Sequence, residues 1–442
     1  MRHFAVVGSG PGGFYTAEAL NKAYGEGARV DIIDRYPVPY GLVRFGVAPD
    51  HQSLKAVSKR YDQTADSAGV DFIGNVTVGR DLSIAELLDL YDAVVLAIGA
   101  SNDRKLGIPG EELSGVIGSA AFVGWYNGHP EFAGLDPFLG GTHAAVIGNG
   151  NVALDCARIL SKTRGELQEG DIANHALDAL DKSPIRTVTI LGRRGPLQIS
   201  MTPKELGELG HIEAATPVVD PADFPPVEAD EALEPGQRKS VTLLRDYAAN
   251  GPDPSKATQM VFDFYAKPLR IEGDGKAERI IVERTKLDEN DRAVGTGETY
   301  EVPASLVISS IGYSTPPMKG LPYDERGGKF LNENGKIADR LYCVGWARRG
   351  PTGTIGTNRP DGYEVAAQIE AAMAPGSSGD RKGAEGLKSL LATRDVMPTD
   401  YDDWRKIEQT ETANARPGSP REKFVRVEDW LKTLGRSSSS RT

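Results

Sequence analysis

Cysteine is nearly absent from this chain of 442 residues, which carries only Cys156 and Cys343. Two isolated thiols cannot ligate an iron–sulfur cluster, form a CxxC redox pair or build a secreted disulfide scaffold. Long apolar runs are missing too. The longest, Ala93 to Ile98, is strand-sized and well short of the roughly 18 residues of a membrane-spanning helix. Positive charge is in deficit, with 51 Lys and Arg against 62 Asp and Glu and a net charge of −11. Such a chain is a poor general binder of nucleic acid or anionic membrane, so an acidic partner has to be met by a local basic patch. The apolar start Phe4–Val7 runs directly into a glycine motif, so no cleavable leader is expected and the expected location is cytoplasmic.

Glycine, by contrast, is abundant at 51 residues, clustered in short turns rather than at every third position. Hydrophobic residues make up 39% and charged residues 26%, the balance of a folded chain. At roughly 150 residues per domain the length predicts two or three domains.

One pattern occurs twice. Phe4–Val7 reads as a strand buried on both faces, followed by the turn Gly8-Ser9-Gly10-Pro11-Gly12-Gly13, a helix through Phe14–Tyr24 and a second strand, Arg29–Ile33, ending at Asp34. A third strand is read at Ala93–Ile98. Then Ala144–Ile147 leads into Gly148-Asn149-Gly150-Asn151-Val152-Ala153, a helix over Leu154–Lys162, and the strand Arg186–Leu191 ending in Gly192-Arg193-Arg194. Leu306–Ser310 is a later strand of this second unit; Leu341–Val344 opens a returning segment. Asp220–Gly236 reads as a surface loop, and the serine-rich tail Arg436–Thr442 as disordered. The expected fold is α/β, with two doubly wound dinucleotide-binding domains and the NADP domain inserted into the FAD domain. The boundaries are 1–105 with 318–442 for FAD and 106–317 for NADP.

The chemistry of each turn follows from its residues. Gly8 and Gly10 let the backbone approach a pyrophosphate, Gly13 lets helix and strand pack closely, and the helix N-terminus offers N–H groups to the anion. Asp34 is placed to accept hydrogen bonds from an adenosine ribose. The second unit carries Arg193 and Arg194 where an NAD site would carry an acid, a pairing suited to a ribose 2′-phosphate. The competing reading is a solvated surface pair. The gap from turn to arginines exceeds the usual ~20 residues, which a helical insertion between Asp155 and Pro184 explains. Two dinucleotides, FAD in the first unit and NADPH in the second, imply hydride transfer between cofactors.

Over nearly its whole length the sequence resembles the adrenodoxin-reductase type of ferredoxin–NADP reductase, in a bacterial form similar to the soluble mycobacterial enzyme. The resemblance rests on Gly8–Gly13, Asp34 through His51, Phe122–Gly128, Gly148–Asp155, Gly192–Leu197, Gly345–Ile355 and Pro420–Lys423. It implies that Gly12, Asp34, Leu42 and a residue near Val76 contact the FAD, and that Trp346, Gly353, Thr354 and Ile355 lie along the flavin. Asn149, Gly150, Asn151, Val152, Arg193, Arg194 and Glu205 would hold NADP. His51 and Glu205 match positions assigned catalytic assistance. Gly12 stands where Ala or Ser is more usual, and Asp34 where Glu is. Read on its own residues, His51 more readily caps or orients a turn, and Asp155 pairs with an arginine either across the cleft or structurally. Trp346, ordinarily a core aromatic beside glycines, is favoured as a cofactor cover by its place between Gly345 and the Gly350–Gly356 turn.

The implied activity is NADPH–ferredoxin reduction, with hydride passing to FAD and single electrons to an acidic iron–sulfur ferredoxin. Arg340, Arg348, Arg349 and Arg359 form a segment without Asp or Glu over 340–360, which with Arg238 and Lys239 is the expected docking patch. Ser240 breaks the basic run. The alternatives are a non-enzymatic FAD/NADP redox sensor and a diaphorase with another acceptor. A flavoprotein disulfide reductase would need a cysteine pair that this chain does not have.

Overall fold

The computed structural model describes residues 1–373 and 379–436. The serine-rich tail read as disordered lies, from residue 437, outside the described residues. Two six-stranded sheets dominate. The first runs in the order Lys336–Ala338, Leu341–Cys343, Ala93–Leu96, Arg2–Val7, Ala28–Ile33, Val70–Ile73. The second runs Val116–Gly118, Leu306–Ser309, His143–Ile147, Thr187–Leu191, Thr258–Asp263, Ala215–Val219. All neighbours are parallel except the outer pair formed by Lys336–Ala338 and Leu341–Cys343. Every strand of the second sheet comes from chain lying between strands of the first.

The apolar strand runs are buried on both faces because alternate residues serve different cores. Phe4, Val6, Val30, Ile32 and Val95 face one side, where the helix Pro11–Tyr24 packs. Ala5, Val7, Ile33, Val94 and Leu96 face the other, against Leu87 and Leu391. In the second sheet Val146, Val188, Ile190 and Ile308 face the helix Asn151–Ser161. Its other face, Ala145, Ile147, Leu191 and Val307, is covered by Ile280, Val282 and Val302 of a three-stranded antiparallel sheet rather than by a helix. That sheet comprises Ala266–Glu272, Arg279–Leu287 and Ala293–Pro303. Sequence reading passed over it, although Tyr265–Pro303 alternates β-formers and polar residues around the turn-rich Asp288-Glu289-Asn290-Asp291.

The C-terminal helices Tyr401–Ala413 and Val427–Thr433 bring Trp404 and Trp430 into the first core, both fully buried. They are fastened by Arg44, in the short helix Leu42–Phe45. Its guanidinium meets both Glu411 carboxylate oxygens at 2.9 and 2.5 Å, between the rings of Trp404 and Trp430. This ion pair is 4% and 0% exposed, and it fixes the turn that flanks the first glycine loop. Breaking such a pair from one side strands a buried charge, which costs about 3–5 kcal/mol. Arg44→Met is therefore expected to lower the unfolding free energy, from urea titration followed by tryptophan fluorescence, by that order, with Arg44→Met/Glu411→Leu recovering most of the loss. Equal losses in single and double variants would mean that packing, not the stranded carboxylate, sets the cost.

Candidate functional site

The first glycine turn sits where the central strand meets its neighbours. Gly8 donates its N–H to the Ile33 carbonyl at 2.7 Å, and a Cβ there would lie 2.4 Å from the Ala97 carbonyl oxygen. A Cβ on Gly13 would lie 1.9 Å from the Gly8 oxygen. These two glycines are demanded by protein against protein. Gly10, the N-cap of the first helix, is different: nothing lies within 4 Å of its absent Cβ. Its open approach to the helix N-terminus suits a pyrophosphate, which no packing argument requires. Gly12 faces Val344 and Gly345 at 3.4 and 3.9 Å.

Three further pieces converge on this turn. Asp34 accepts from the Ser9 N–H at 2.8 Å and hydroxyl at 2.5 Å through one oxygen, and from the Tyr36 N–H at 3.0 Å through the other. The second oxygen thus keeps a lone pair for a ribose hydroxyl. Val76 is buried and donates its N–H to the Asp34 carbonyl at 2.9 Å, so only its backbone can face a ligand. Tyr40 (φ 84°) donates its N–H to the Ser9 carbonyl, and Gly41 approaches the Gly10 backbone. Leu42, just beyond, is 38% exposed and leaves an apolar surface beside the turn. Gly345 begins the short helix Trp346–Arg349. The Trp346 indole N–H donates to the Thr352 carbonyl at 3.0 Å, and its ring lies 6.1 Å from Tyr313. Gly353 and Thr354 are exposed and Ile355 half-buried.

The second turn repeats the construction. Gly148 donates to the Leu191 carbonyl at 3.0 Å, its absent Cβ faces the Ser310 oxygen at 2.2 Å, and Gly150 again has nothing within 4 Å. Asn151 spends its side chain on Thr202, accepting the Thr202 N–H at 2.8 Å, and Val152 packs on the core. Three buried acceptors near this turn have no partner among the described residues: Asn149 Oδ1, Gln198 Oε1 and Glu205 Oε2. Buried polar atoms are seldom left so, and an unbound polar ligand is a sufficient reason. Arg193 is exposed, Arg194 half-buried, and neither guanidinium has a hydrogen bond or ion pair among the described residues. The predicted insertion is present as the helices Asn151–Ser161, Arg164–Gln168 and Asn174–Asp181.

The units meet in a buried charge network. His51 is 8% exposed; its Nε2 lies 2.8 Å from Glu208 Oε2 and 3.1 Å from Arg158 Nη2. Its carboxylate partner is thus Glu208, while Glu205 stands three residues earlier on the same helix, Pro203–Glu208. Arg158 is 1% exposed and pairs with Asp50 across the units, and with Asp155 at 2.7 Å on its own helix. The open question over Asp155 resolves to an intrahelical pair. Lys162 reaches Asp50 at 2.6 Å. Burial opposes the Asp50 charge, but Arg158 and Lys162 outweigh it and hold the carboxyl down at about 2. A second clasp has Lys55 and Lys423 sharing the buried Asp171 at 2.6 and 3.3 Å. Burial resists that charge as well, but the two lysines keep the carboxyl well below the ordinary range. Sequence reading missed Arg158, Glu208 and Asp171, whose partners across the units lie 107 or more residues away.

The basic segment is not the free +4 patch its sequence suggests. Arg348 pairs with Glu364 at 2.8 Å and Arg349 with Asp361, acids lying just past the segment. Arg340 donates to the Leu88 and Tyr91 carbonyls at 2.8 and 3.1 Å. Arg340 also lies 3.8 Å from the Asp339 carboxylate, so among the described residues Arg359 alone of the four is without a carboxylate, stacked on Tyr363. Ser240 is fully buried with its hydroxyl on the Met201 carbonyl at 2.9 Å, so a basic side chain there could not reach a partner. Arg238 and Lys239 are exposed. Cys156 and Cys343 are buried in separate cores, and burial pushes the Cys343 thiol up to about 12.

Two parallel sheets, each opening on a glycine turn and joined by a polar seam, define a pyridine-nucleotide oxidoreductase of the two-dinucleotide class. Residues 2–211 match the family described as pyridine nucleotide-disulphide oxidoreductase. The chain is 42% identical to the NADPH-ferredoxin reductase FprA of Mycobacterium leprae, covering 98% of both chains. It is 43% identical to human mitochondrial NADPH:adrenodoxin oxidoreductase, covering 97% of this chain and 91% of that protein. The structure of Mycobacterium tuberculosis FprA in complex with NADPH superposes with a TM-score of 0.94 at 40% identity, covering 98% of this chain and 100% of that one. The chain belongs to the family of NADPH–ferredoxin and adrenodoxin reductases.

The glycine geometry separates folding from binding. Gly10→Ala is expected to leave far-ultraviolet circular dichroism unchanged and to weaken flavin retention at least about tenfold, the effect of losing roughly one charge-assisted contact. Gly13→Ala is expected to give little folded protein. Full flavin retention in folded Gly10→Ala would remove the pyrophosphate from that turn.

Proposed function

We propose that this chain is an NADPH–ferredoxin oxidoreductase, in which 1–105 with 318–442 hold FAD and 106–317 hold NADP. The observation that carries the proposal is the opposite character of two otherwise matching turns: Asp34 stands beside the first, and Arg193 and Arg194, with no partner for either guanidinium among the described residues, beside the second. An acid reads ribose hydroxyls, whereas two free guanidinium groups suit a 2′-phosphate. When bound, the flavin supplies the step from a two-electron hydride donor to one-electron acceptors.

The protein's part is to bind and orient. The N-terminus of the helix Pro11–Tyr24 with Gly10 and Gly12 receives the FAD pyrophosphate, and Leu42, Trp346, Gly353, Thr354 and Ile355 flank the flavin. Asn149, Gly150, Asn151, Val152 and Glu205 border the NADP pyrophosphate and ribose. His51 Nε2 faces Glu208 Oε2 at 2.8 Å. A proton on that nitrogen is donated to the carboxylate, while the Arg158 hydrogen turns to Asp155. That arrangement supports His51, with Glu205 on the same helix as Glu208, as the candidate proton-handling groups. The electron acceptor is an iron–sulfur ferredoxin. The cations left for docking are Arg238, Lys239 and Arg359, since none has a carboxylate partner among the described residues. A cytoplasmic location belongs to the same proposal. Among the described residues no helix is long and apolar enough to cross a membrane.

The deciding assay is NADPH-driven cytochrome c reduction by the flavin-loaded protein. Strong dependence on added ferredoxin is expected, and absence of any stimulation overturns the acceptor assignment. Arg193→Ala/Arg194→Ala should raise the KM for NADPH by about 10- to 150-fold, the worth of roughly 1.5–3 kcal/mol of charge-assisted bonding, and leave NADH almost unaffected. Equal losses with both would return the arginines to the fold. Reversing Arg238 and Lys239 to Glu should raise the KM for ferredoxin alone. The ferredoxin rate should fall with salt, which screens exposed charges beyond roughly 8–10 Å.

A further inference from the structure

The three-stranded antiparallel sheet is not needed to form a dinucleotide-binding unit, yet it grips the arginine turn at every residue. The Ala266 N–H donates to the Gly192 carbonyl at 2.9 Å and the Tyr265 N–H to the Arg194 carbonyl at 3.2 Å. Between them, the Thr285 hydroxyl donates to the Arg193 carbonyl at 2.8 Å. Gly192 in turn donates its N–H to the Asp263 carbonyl at 2.9 Å. Three consecutive carbonyls are thus held from one side.

The grip comes from local irregularities. Tyr265 takes a positive φ of 54°, a conformation side chains seldom adopt, and its hydroxyl occupies the space of a Cβ on Gly195, 2.2 Å away. Thr285 sits where the register shifts between the second and third strands, with its N–H on the Tyr265 carbonyl at 2.8 Å. It is 7% exposed. The adjacent Arg284 is committed elsewhere, to Asp263 at 2.7 Å and the Phe264 carbonyl at 3.0 Å. It offers nothing to a ligand beside Arg193 and Arg194.

We propose that Thr285 is a positioning residue for cofactor choice: by fixing the Arg193 carbonyl it holds two mutually repelling guanidinium groups ready for a ribose 2′-phosphate. The inference rests on the 2′-phosphate reading of the arginine pair. Adjacent like charges, which here have no counter-ion among the described residues, drive a free turn apart. A turn held beforehand does not bear that ordering cost at binding, which raises affinity for the phosphate alone.

The test is calorimetric titration of the flavin-loaded protein with adenosine 2′,5′-bisphosphate and, as the ligand without a 2′-phosphate, adenosine 5′-monophosphate. Thr285→Val keeps the shape and removes the donor. It should weaken the bisphosphate about five- to tenfold, the effect of losing roughly one hydrogen bond, and leave the monophosphate within about twofold. Thr285→Ser should restore binding, and Thr285→Ala substitutes if the valine variant does not fold. Unchanged bisphosphate binding in the donorless variant, or equal losses for both ligands, overturns the role of Thr285. Arg193→Ala/Arg194→Ala separates the two levels of the argument. If that variant also binds the bisphosphate normally, the 2′-phosphate reading itself fails. If it binds poorly while Thr285→Val binds normally, only the role of Thr285 falls.

Discussion

At Gly8 and again at Gly148 the chain leaves the central strand through a gap with no room for a side chain, because the carbonyl of a neighbouring strand fills it. Each glycine also gives its N–H to the strand on the other side. That double commitment fixes the direction in which the following helix points, and with it the place where the helix N-terminus faces solvent. Gly10 and Gly150, the positions proposed to face a ligand, are the ones left open in each turn. Everything proposed for this protein hangs on that crossing, made twice in one molecule.

The two crossings would be of little use to each other if the units moved freely. Buried ions hold them: Arg158 between Asp50 and Asp155, and Asp171 between Lys55 and Lys423. Such pairs recover their desolvation only in well-fitted geometry, so they specify one relative placement rather than simply adding stability. Because the Pro49 carbonyl also accepts the Asp171 N–H, the turn carrying His51 is held from the second unit on two sides.

Much of this was legible in the sequence, and the division has a physical basis. Strand, glycine turn and helix are local patterns, so both units and the helical insertion could be read directly. Charges whose partners are distant in sequence could not. Arg348 and Arg349 looked free because the window closed just before Asp361 and Glu364, and nothing local to His51 announced its carboxylate, Glu208, 157 residues away. Ser240 looked like a gap in a basic patch but is buried. The antiparallel sheet was overlooked because no glycine signature announces it, although it covers one whole face of the second unit.

The central claim is that two matching turns of opposite electrostatic character hold two different dinucleotides across one seam. A crystal structure of the protein with both FAD and NADP bound tests it most directly. The account predicts the FAD pyrophosphate at Gly10 with its adenosine ribose on Asp34, and the NADP 2′-phosphate within hydrogen-bonding distance of Arg193 and Arg194. A 2′-phosphate lying in solvent away from both arginines, or NADP seated on the first turn, would contradict it.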